Sequence, residues 1–348
     1  GKTGPSGRAW LARGIEAYYA LAQGGPWRGR QKTGAALVNI AIDQSQVSGA
    51  TPTPRLVTPA FVHLRVHSSY SLLEGALPIE RIAKLARDRG SPAIGLTDTN
   101  NLFGALEFSN KLAASGIQPI VGLTLSVDFA DRDGDDGAVA TGAKGTQSLP
   151  SIALLAMNEV GYANLMKLSS RAYFDPEHNQ SPHVEVGRLG DLADGLVALT
   201  GGPGGPVDRA LAEGSADLAR ARLVRLKDIF GDRLYVELQR HGLASERAVE
   251  PQLLALAYDS ATPIVATNEC YFADAADHDA HDALLCIAEG SYVVEDNRRR
   301  LTPAHAMKSA AEMAALFADL PEAVANTIEI AKRCAFMVEK IDPILPPF

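Results

Sequence analysis

The sequence predicts an α/β protein, a βα barrel of about seven strands followed by a helical tail. Two observations carry that expectation. Short apolar runs of strand length recur along the chain, and amphipathic stretches of helix length follow most of them. At 348 residues and 46% hydrophobic content, the chain also holds enough apolar surface for one or two sizeable cores. Strands that alternate with helices point to βαβ units, hence to a parallel sheet or barrel, and about seven strands in succession favour closure over an open sheet.

Residues 1–60 mix Gly, Pro, Ser, Thr and Gln around one apolar patch, AWLARGIEAYYALA, which reads as a single amphipathic helix too small to build a core. We read them as a flexible lead. From Phe61 the character changes: FVHLRVHS alternates as a strand does, PIERIAKLARDRG follows as a helix, PAIGLTD as a buried strand, FGALEFSNKLAASG as a helix and QPIVGLTLSVDF as the next strand. Residues 130–147 are polar and glycine-rich and read as a surface hairpin loop. Asp131, Asp133 and Asp135 there have the odd spacing of a calcium loop. Asp136 and Gly142 stand where that loop needs Gly and Glu, so a solvated loop is the better reading. Further strands are expected in SIALLAMN, LVALTG, RLYVELQRHG and TPIVATNECYF, with helices in GYANLMKLSSRAYF, ARARLVRLKDIFG and AVEPQLLALAYDSA. The tail SAAEMAALFADLPEAVANTIEIAKRC reads as helical, divided by Pro321 near a helix start. The boundaries expected are 1–60 for the lead, 61–290 for the barrel and 291–348 for a helical linker.

The formal net charge of -8 excludes nucleic-acid binding by bulk electrostatics. Three unpaired cysteines, Cys270, Cys286 and Cys334, suit a reducing cytoplasm. No run is apolar and long enough for a membrane span, so no membrane partner is expected.

In a βα barrel the working groups gather at the C-terminal ends of the strands. The candidates there are His63, Arg65, His67 and Glu74 after the first strand, Asp98 and Thr99 after the second, and Thr124 on the third. Gly202, Glu237 with His241, and Glu269 with Cys270 follow on later strands. A polynuclear metal site that activates water for phosphate-ester hydrolysis needs several His and carboxylate ligands at such a mouth. Here Arg, Thr and Gly hold several of the places. His63, Arg65 and His67 alternate on one strand and so are expected on one face. Asp98, Thr99 or Asn100 reads as a helix cap, and Glu237 and His241 read as a hydrogen-bonded frame. His278 and His281 read as an exposed cap region, and the triple arginine at 298–300 as a solvated loop, nucleic-acid contact being the alternative.

Taken together, FVHLRVHSSYSLLEGA, GLTDTNNLFGALEF, GIQPIVGL, LLAMNEVGYANLMKLSS, LYVELQRHG, VATNECYF and HDALLCI resemble the N-terminal polymerase-and-histidinol-phosphatase (PHP) domain of bacterial DNA polymerase III alpha subunits, over residues 61–348. The resemblance implies a distorted (β/α)7 PHP-type barrel and a helical segment leading toward a polymerase palm that is absent here. It also implies a parent DNA-directed DNA polymerase that uses Mg2+ and primer-template DNA and works with a proofreading exonuclease subunit, a sliding clamp and other replisome subunits. Where the family's metal site is full, a His-x-His motif falls on Arg65 and His67, and the Asp that follows falls on Glu74. An Asp-His pair falls on Asp98 and Thr99, a Glu on Thr124 and a Cys on Gly202. A late Asp-x-His falls on Glu269 with Tyr271, or with Cys270 if the ligand is adjacent. Arg65 brings a permanent positive charge to a place where a divalent cation would sit, and pairing with Asp98 or Glu74 is the expected compensation. The expectation is therefore a degenerate site without metal, in a barrel that braces the polymerase and docks the exonuclease. The alternative is an active metal-dependent phosphoesterase or proofreading nuclease.

Overall fold

A computed structural model of the chain describes residues 61–131, 149–177 and 180–342. The N-terminal lead and most of the 130–147 loop, including Asp133, Asp135, Asp136 and Gly142, lie outside the described residues.

Among the described residues eight strands form one sheet: β1 (His63–Val66), β2 (Ala93–Leu96), β3 (Gln118–Asp128), β4 (Ser151–Ala156), β5 (Val184–Glu185), β6 (Leu196–Leu199), β7 (Leu234–Gln239) and β8 (Ile264–Thr267). The spatial order is β1-β2-β3-β4-β6-β7-β8, with the short β5 beside β3. Beyond β8 the chain returns to β1, where His67 N–H donates to Cys270 O at 2.9 Å and Cys270 N–H donates to Arg65 O at 3.0 Å. These two bonds bring the last strand's continuation to the first strand and close the ring.

The sheet is mixed, which corrects the expectation of parallel strands alone. Strands β1, β2 and β3 run parallel, as do β6, β7 and β8, whereas β4 is antiparallel to both β3 and β6. An antiparallel pair, unlike a parallel one, needs no long crossover connection between its strands.

Most helices sit where the apolar periodicity places them. In α1 (Ile79–Asp88) the buried positions Ile79, Ile82, Ala83, Leu85 and Ala86 make one stripe against the sheet. Then come α2 (Ala105–Ala114) and α3 (Glu159–Phe174), the latter capped by Asn158 accepting from Gly161 N–H at 3.0 Å. Two short helices, α4 (Val186–Asp191) and α5 (Pro206–Ala212), escape sequence reading because one or two turns show no period. Helices α6 (Ala216–Phe230), α7 (Ala244–Asp259) and α8 (His278–Glu289) complete the outer layer. The tail forms α9 (Ala310–Leu316), opened by a Ser309–Glu312 capping box, and α10 (Pro321–Arg333), with Pro321 at its first turn.

One apolar cluster takes Leu64, Ala93, Ile120, Leu155, Leu199, Tyr235 and Val265, one from each of the seven ring strands. Only the barrel interior lets all seven meet. Ile328, Ile330, Ala331 and Cys334 of the tail join the same cluster, so α10 plugs the floor and leaves the opposite end as the mouth.

Strand β1 does not alternate strictly. His63 pairs with Ile94 and Val66 with Leu96, so β1 spends one more residue than β2 over the same stretch. A Cβ on Gly95 would lie 2.8 Å from Leu64 O and 2.9 Å from Leu64 Cα, so this approach of the two strands needs glycine. The slip lets Leu64 and Arg65 both serve the interior, while His63 turns toward Lys308, whose carbonyl lies 2.7 Å from its Nε2. His63 therefore does not share a face with Arg65 and His67, contrary to the alternation read from the sequence.

The plug is tied to β1 by Thr327, whose Oγ1 accepts from Val62 N–H at 3.1 Å and donates to Val324 O at 2.7 Å. Replacing Thr327 by Val keeps the volume and strands a buried N–H. Urea denaturation should show a loss of about 1–3 kcal/mol; an unchanged midpoint would show that the floor is not held by this bond.

Candidate functional site

The mouth centres on Arg65, whose side chain is only 1% exposed. Its Nη1 donates to Glu237 Oε2 on β7 at 3.2 Å, and its Nη2 donates to Glu269 Oε1 just beyond β8. Glu237 is itself fully engaged. Gly201 N–H reaches Oε2 at 3.0 Å, while Thr267 Oγ1 and Gln239 Nε2 reach Oε1 at 2.5 and 2.7 Å. Burial alone would discourage both charges, yet each carboxylate gives the guanidinium a partner. Desolvation pulls the Arg65 pKa down and the two glutamates outweigh it, so it ends above its usual value. The Glu269 carboxyl ends well below its usual range: burial raises it, and the Arg65 charge with hydrogen bonds from His67 and Arg65 more than reverses that.

His67 lies flat against Tyr271, rings 4.5 Å apart and 7° from parallel. Its Nε2 faces Glu269 Oε1 at 3.1 Å and its Nδ1 faces Ser71 Oγ at 3.2 Å. Ser71 has one hydroxyl hydrogen, and the shorter bond takes it to Asp98 Oδ1 at 2.7 Å. Both ring nitrogens of His67 thus face oxygens of the network, and neither is aimed at an open coordination position. The connectivity Ser71–His67–Glu269 is that of a hydrolytic triad, but Ser71 is 1% exposed and its proton goes to Asp98, so it is no accessible nucleophile.

Asp98 does not cap a helix, contrary to the sequence reading. It accepts from Ser68 N–H, Ser68 Oγ and Ser71 Oγ, all at 2.7 Å, and staples the loop that follows β1. Nor is it the partner of Arg65. Glu74 is not that partner either: Thr99 Oγ1 donates to its Oε2 at 2.6 Å, and Arg299 Nη1 donates to its Oε1 at 2.9 Å. Burial raises the Glu74 pKa, and Arg299 and His67 outweigh it, leaving the group below its ordinary value. The expected compensation of Arg65 by Asp98 or Glu74 is thus replaced by Glu237 and Glu269, because serines and a second arginine already satisfy the other two carboxylates.

Thr124 turns its hydroxyl to Thr97 O at 2.9 Å. Gly202 faces Gln239: a Cβ there would stand 2.6 Å from Gln239 Cδ, so the glutamine fills the room a cysteine ligand would need. Cys270 is buried with Sγ 3.0 Å from Asn268 Nδ2, and burial first of all pushes its thiol up to about 12, which keeps it from acting as a thiolate. His241 does not meet Glu237. Its Nδ1 pairs with Glu246 Oε1 at 2.9 Å and its ring stacks on His305 at 3.8 Å. Burial, then the charge of His241, pushes His305 down to about 3.

Two further readings are corrected. His281 is 3% exposed, with Nε2 2.5 Å from Glu74 O, so it braces the mouth loop from within instead of standing in solvent. His278 is 24% exposed at its side chain and meets Leu301 O at 3.0 Å. The solvated reading of the triple arginine fails at Arg298, whose side chain is buried and clamped to Asp282; Arg299 and Arg300 are exposed, with Arg299 also held by Glu74 and Tyr271. At the β3 end, Asp131 accepts from Arg222 Nη2 at 2.7 Å, so an ion pair occupies the first residue of the calcium-like spacing. Sequence reasoning missed Ser68, Ser71, Gln239, Thr267 and Arg299 as parts of this network. The serines that follow His67 at positions 68 and 71 were the available signal.

Among the described residues no group of three or more His, Cys, Asp or Glu side chains is arranged to hold a metal ion. The donors at the mouth do not fit a metal cluster, since a guanidinium lies between two of the carboxylates and hydrogen bonds occupy the others.

The family model for the PHP domain matches residues 63–241. The DNA polymerase III subunit alpha of Caulobacter vibrioides is 50% identical over 291 residues, covering 83% of this chain and 24% of that protein. The corresponding subunits of Rickettsia felis and Pseudomonas aeruginosa are 38% and 35% identical, over 83% and 84% of this chain. The chain spans about a quarter of the length of these curated relatives. A solved amidohydrolase from Chromobacterium violaceum is 15% identical, with a TM-score of 0.38 and coverage of 61% of this chain and 88% of its own, a likeness too slight to add to the fold above.

Removing the central cation tests the network. Arg65→Met leaves Glu237 and Glu269 buried without their counter-charge and should cost about 3–5 kcal/mol in chemical denaturation. The acid limb should change as well. Because the folded-state Glu269 pKa lies below 4.5, its contribution is present above that pH and is lost as the pH falls through the lower folded value. The parent protein should lose stability steeply on acidification, and Arg65→Met should show a shallower acid limb; parallel limbs would contradict the pairing.

Proposed function

Because the chain belongs to the PHP domain family, we propose that it is the N-terminal barrel of a DNA polymerase III alpha subunit and that the barrel is a metal-free structural and docking module. The parent chain is then a DNA-directed DNA polymerase, a cytoplasmic nucleotidyltransferase of the replisome that extends a primer on a template with Mg2+ held outside these residues. Its partners in this reading are a proofreading exonuclease subunit, the sliding clamp and primer-template DNA. Residues 61–290 are the barrel and 291–348 the stretch leading toward the polymerase core, with α10 returning to close the barrel floor. Residues 1–60 form a lead outside the domain.

One observation carries the metal-free part: the Arg65 guanidinium between Glu237 and Glu269. A permanent cation there repels a divalent ion and occupies the oxygens that would bind it. The degenerate positions, Arg65, His67, Glu74, Asp98, Thr99, Thr124, Glu237, His241, Glu269 and Cys270, then serve as a hydrogen-bonded core of the mouth, not as ligands. No helix among the described residues is long and apolar enough to cross a membrane, in keeping with this reading.

Metal analysis of protein purified without chelator, together with assays on a phosphate ester and on a mismatched primer end, tests the proposal. Substoichiometric metal and no turnover are expected. Two or more bound equivalents with chelator-sensitive hydrolysis would make the barrel a phosphoesterase and overturn it. The longer polypeptide should extend a primer with Mg2+, and failure to do so would overturn the polymerase assignment.

A further inference from the structure

The stretch that follows α8 combines two features that rarely serve a free surface. Arg298 has a side chain only 3% exposed, and each of its five N–H groups has an acceptor. Nη1 and Nη2 donate to the two Asp282 oxygens at 2.6 Å each, Nη2 also to Val293 O at 3.1 Å, Nη1 to Arg299 O at 3.3 Å, and Nε to Glu295 O at 3.2 Å. Residues 293–299 are thus wound around one saturated guanidinium. Arg299 fastens the far side of the loop to the barrel through Glu74 and Tyr271. A loop held in this way has little conformational freedom left to lose.

What the loop holds outward is apolar. Tyr292, Val293 and Val294 are 72%, 54% and 88% exposed, and Ile287 in the last turn of α8 is 70% exposed. Scattered surface hydrophobics need no explanation, but four large ones within eight residues, on backbone fixed by a buried arginine, make a pre-organised contact surface. Charges of both signs, Glu289 and Asp296 with Arg299 and Arg300, are exposed around them.

We propose that the Ile287–Val294 knuckle is a docking surface whose occupant is the remainder of the same polypeptide, through a downstream apolar face. The occupant follows from length. The curated relatives are about four times as long as the portion this chain matches, so the largest body of protein tethered to this surface is in cis, where effective concentration is high. This rests on the polymerase reading above.

Thiol labelling provides the test, because Cys270, Cys286 and Cys334 are all buried and give a low background. Val294→Cys and Tyr292→Cys, at exposed positions that leave the core untouched, would be reacted with a maleimide in the 348-residue chain and in the longer polypeptide. Rapid labelling of the shorter chain and protection of about tenfold or more in the longer one support the proposal, and adding Arg298→Lys to the longer form should partly restore labelling. Equal labelling of both overturns it. Protection that already appears in the shorter chain and rises with concentration assigns the surface to a second copy, and protection that appears only when a separate subunit is added assigns it to that subunit; either result also overturns it. Primer extension by the same longer preparation is read separately, so failure of the polymerase reading is distinguishable from failure of the docking surface.

Discussion

The mouth of this barrel depends on one buried ion pair system, Arg65 held between Glu237 and Glu269. Taking these three charges out of water is expensive, and the arrangement stands only because nearly every lone pair and proton is used. Glu237 is met by Gly201, Thr267 and Gln239, and Glu269 by His67 as well as Arg65. The Nε of Arg65 remains without a protein partner, so the guanidinium is tightly but not completely satisfied. From this centre the contacts run outward without a break: His67 to Ser71, Ser71 to Asp98, Asp98 back to the loop after β1. Arg299 repeats the solution at the rim, where it neutralises Glu74 beside Thr99.

A barrel mouth built of carboxylates and histidines needs positive charge from somewhere. In a metallohydrolase the metal ions supply it and become the catalyst. Here two side chains supply it, and a guanidinium has neither an empty orbital for water nor a readily lost proton. A side-chain cation at this place preserves the architecture, since the carboxylates still have a positive charge to converge on.

Much of the fold was legible in the sequence. The seven ring strands and the larger helices follow from apolar periodicity, and Pro321 marks the start of α10 as its fixed φ suggests. The mixed direction of the sheet was not read, because apolar periodicity marks a strand without giving the direction of its neighbour. Alternation on β1 misled for a local reason: the extra residue opposite Gly95 turns His63 away from Arg65, and no periodicity reveals a slip that depends on a close approach between strands. At the site, the residue types were legible and their partners were not. Whether Arg65 would meet Asp98, Glu74, Glu237 or Glu269 is decided by which carboxylates the serines and Arg299 have already claimed, and the arginine contacts join segments 172 to 225 residues apart.

The most direct test of the central claim is a double-mutant cycle between Arg65 and Glu269, using Arg65→Met and Glu269→Gln with stability read by chemical denaturation at neutral pH. A coupling of about 2–3 kcal/mol, the double variant being less damaged than the sum of the singles, is the expected result. Strict additivity would contradict the account, because it would mean that the guanidinium and the carboxylate do not depend on one another.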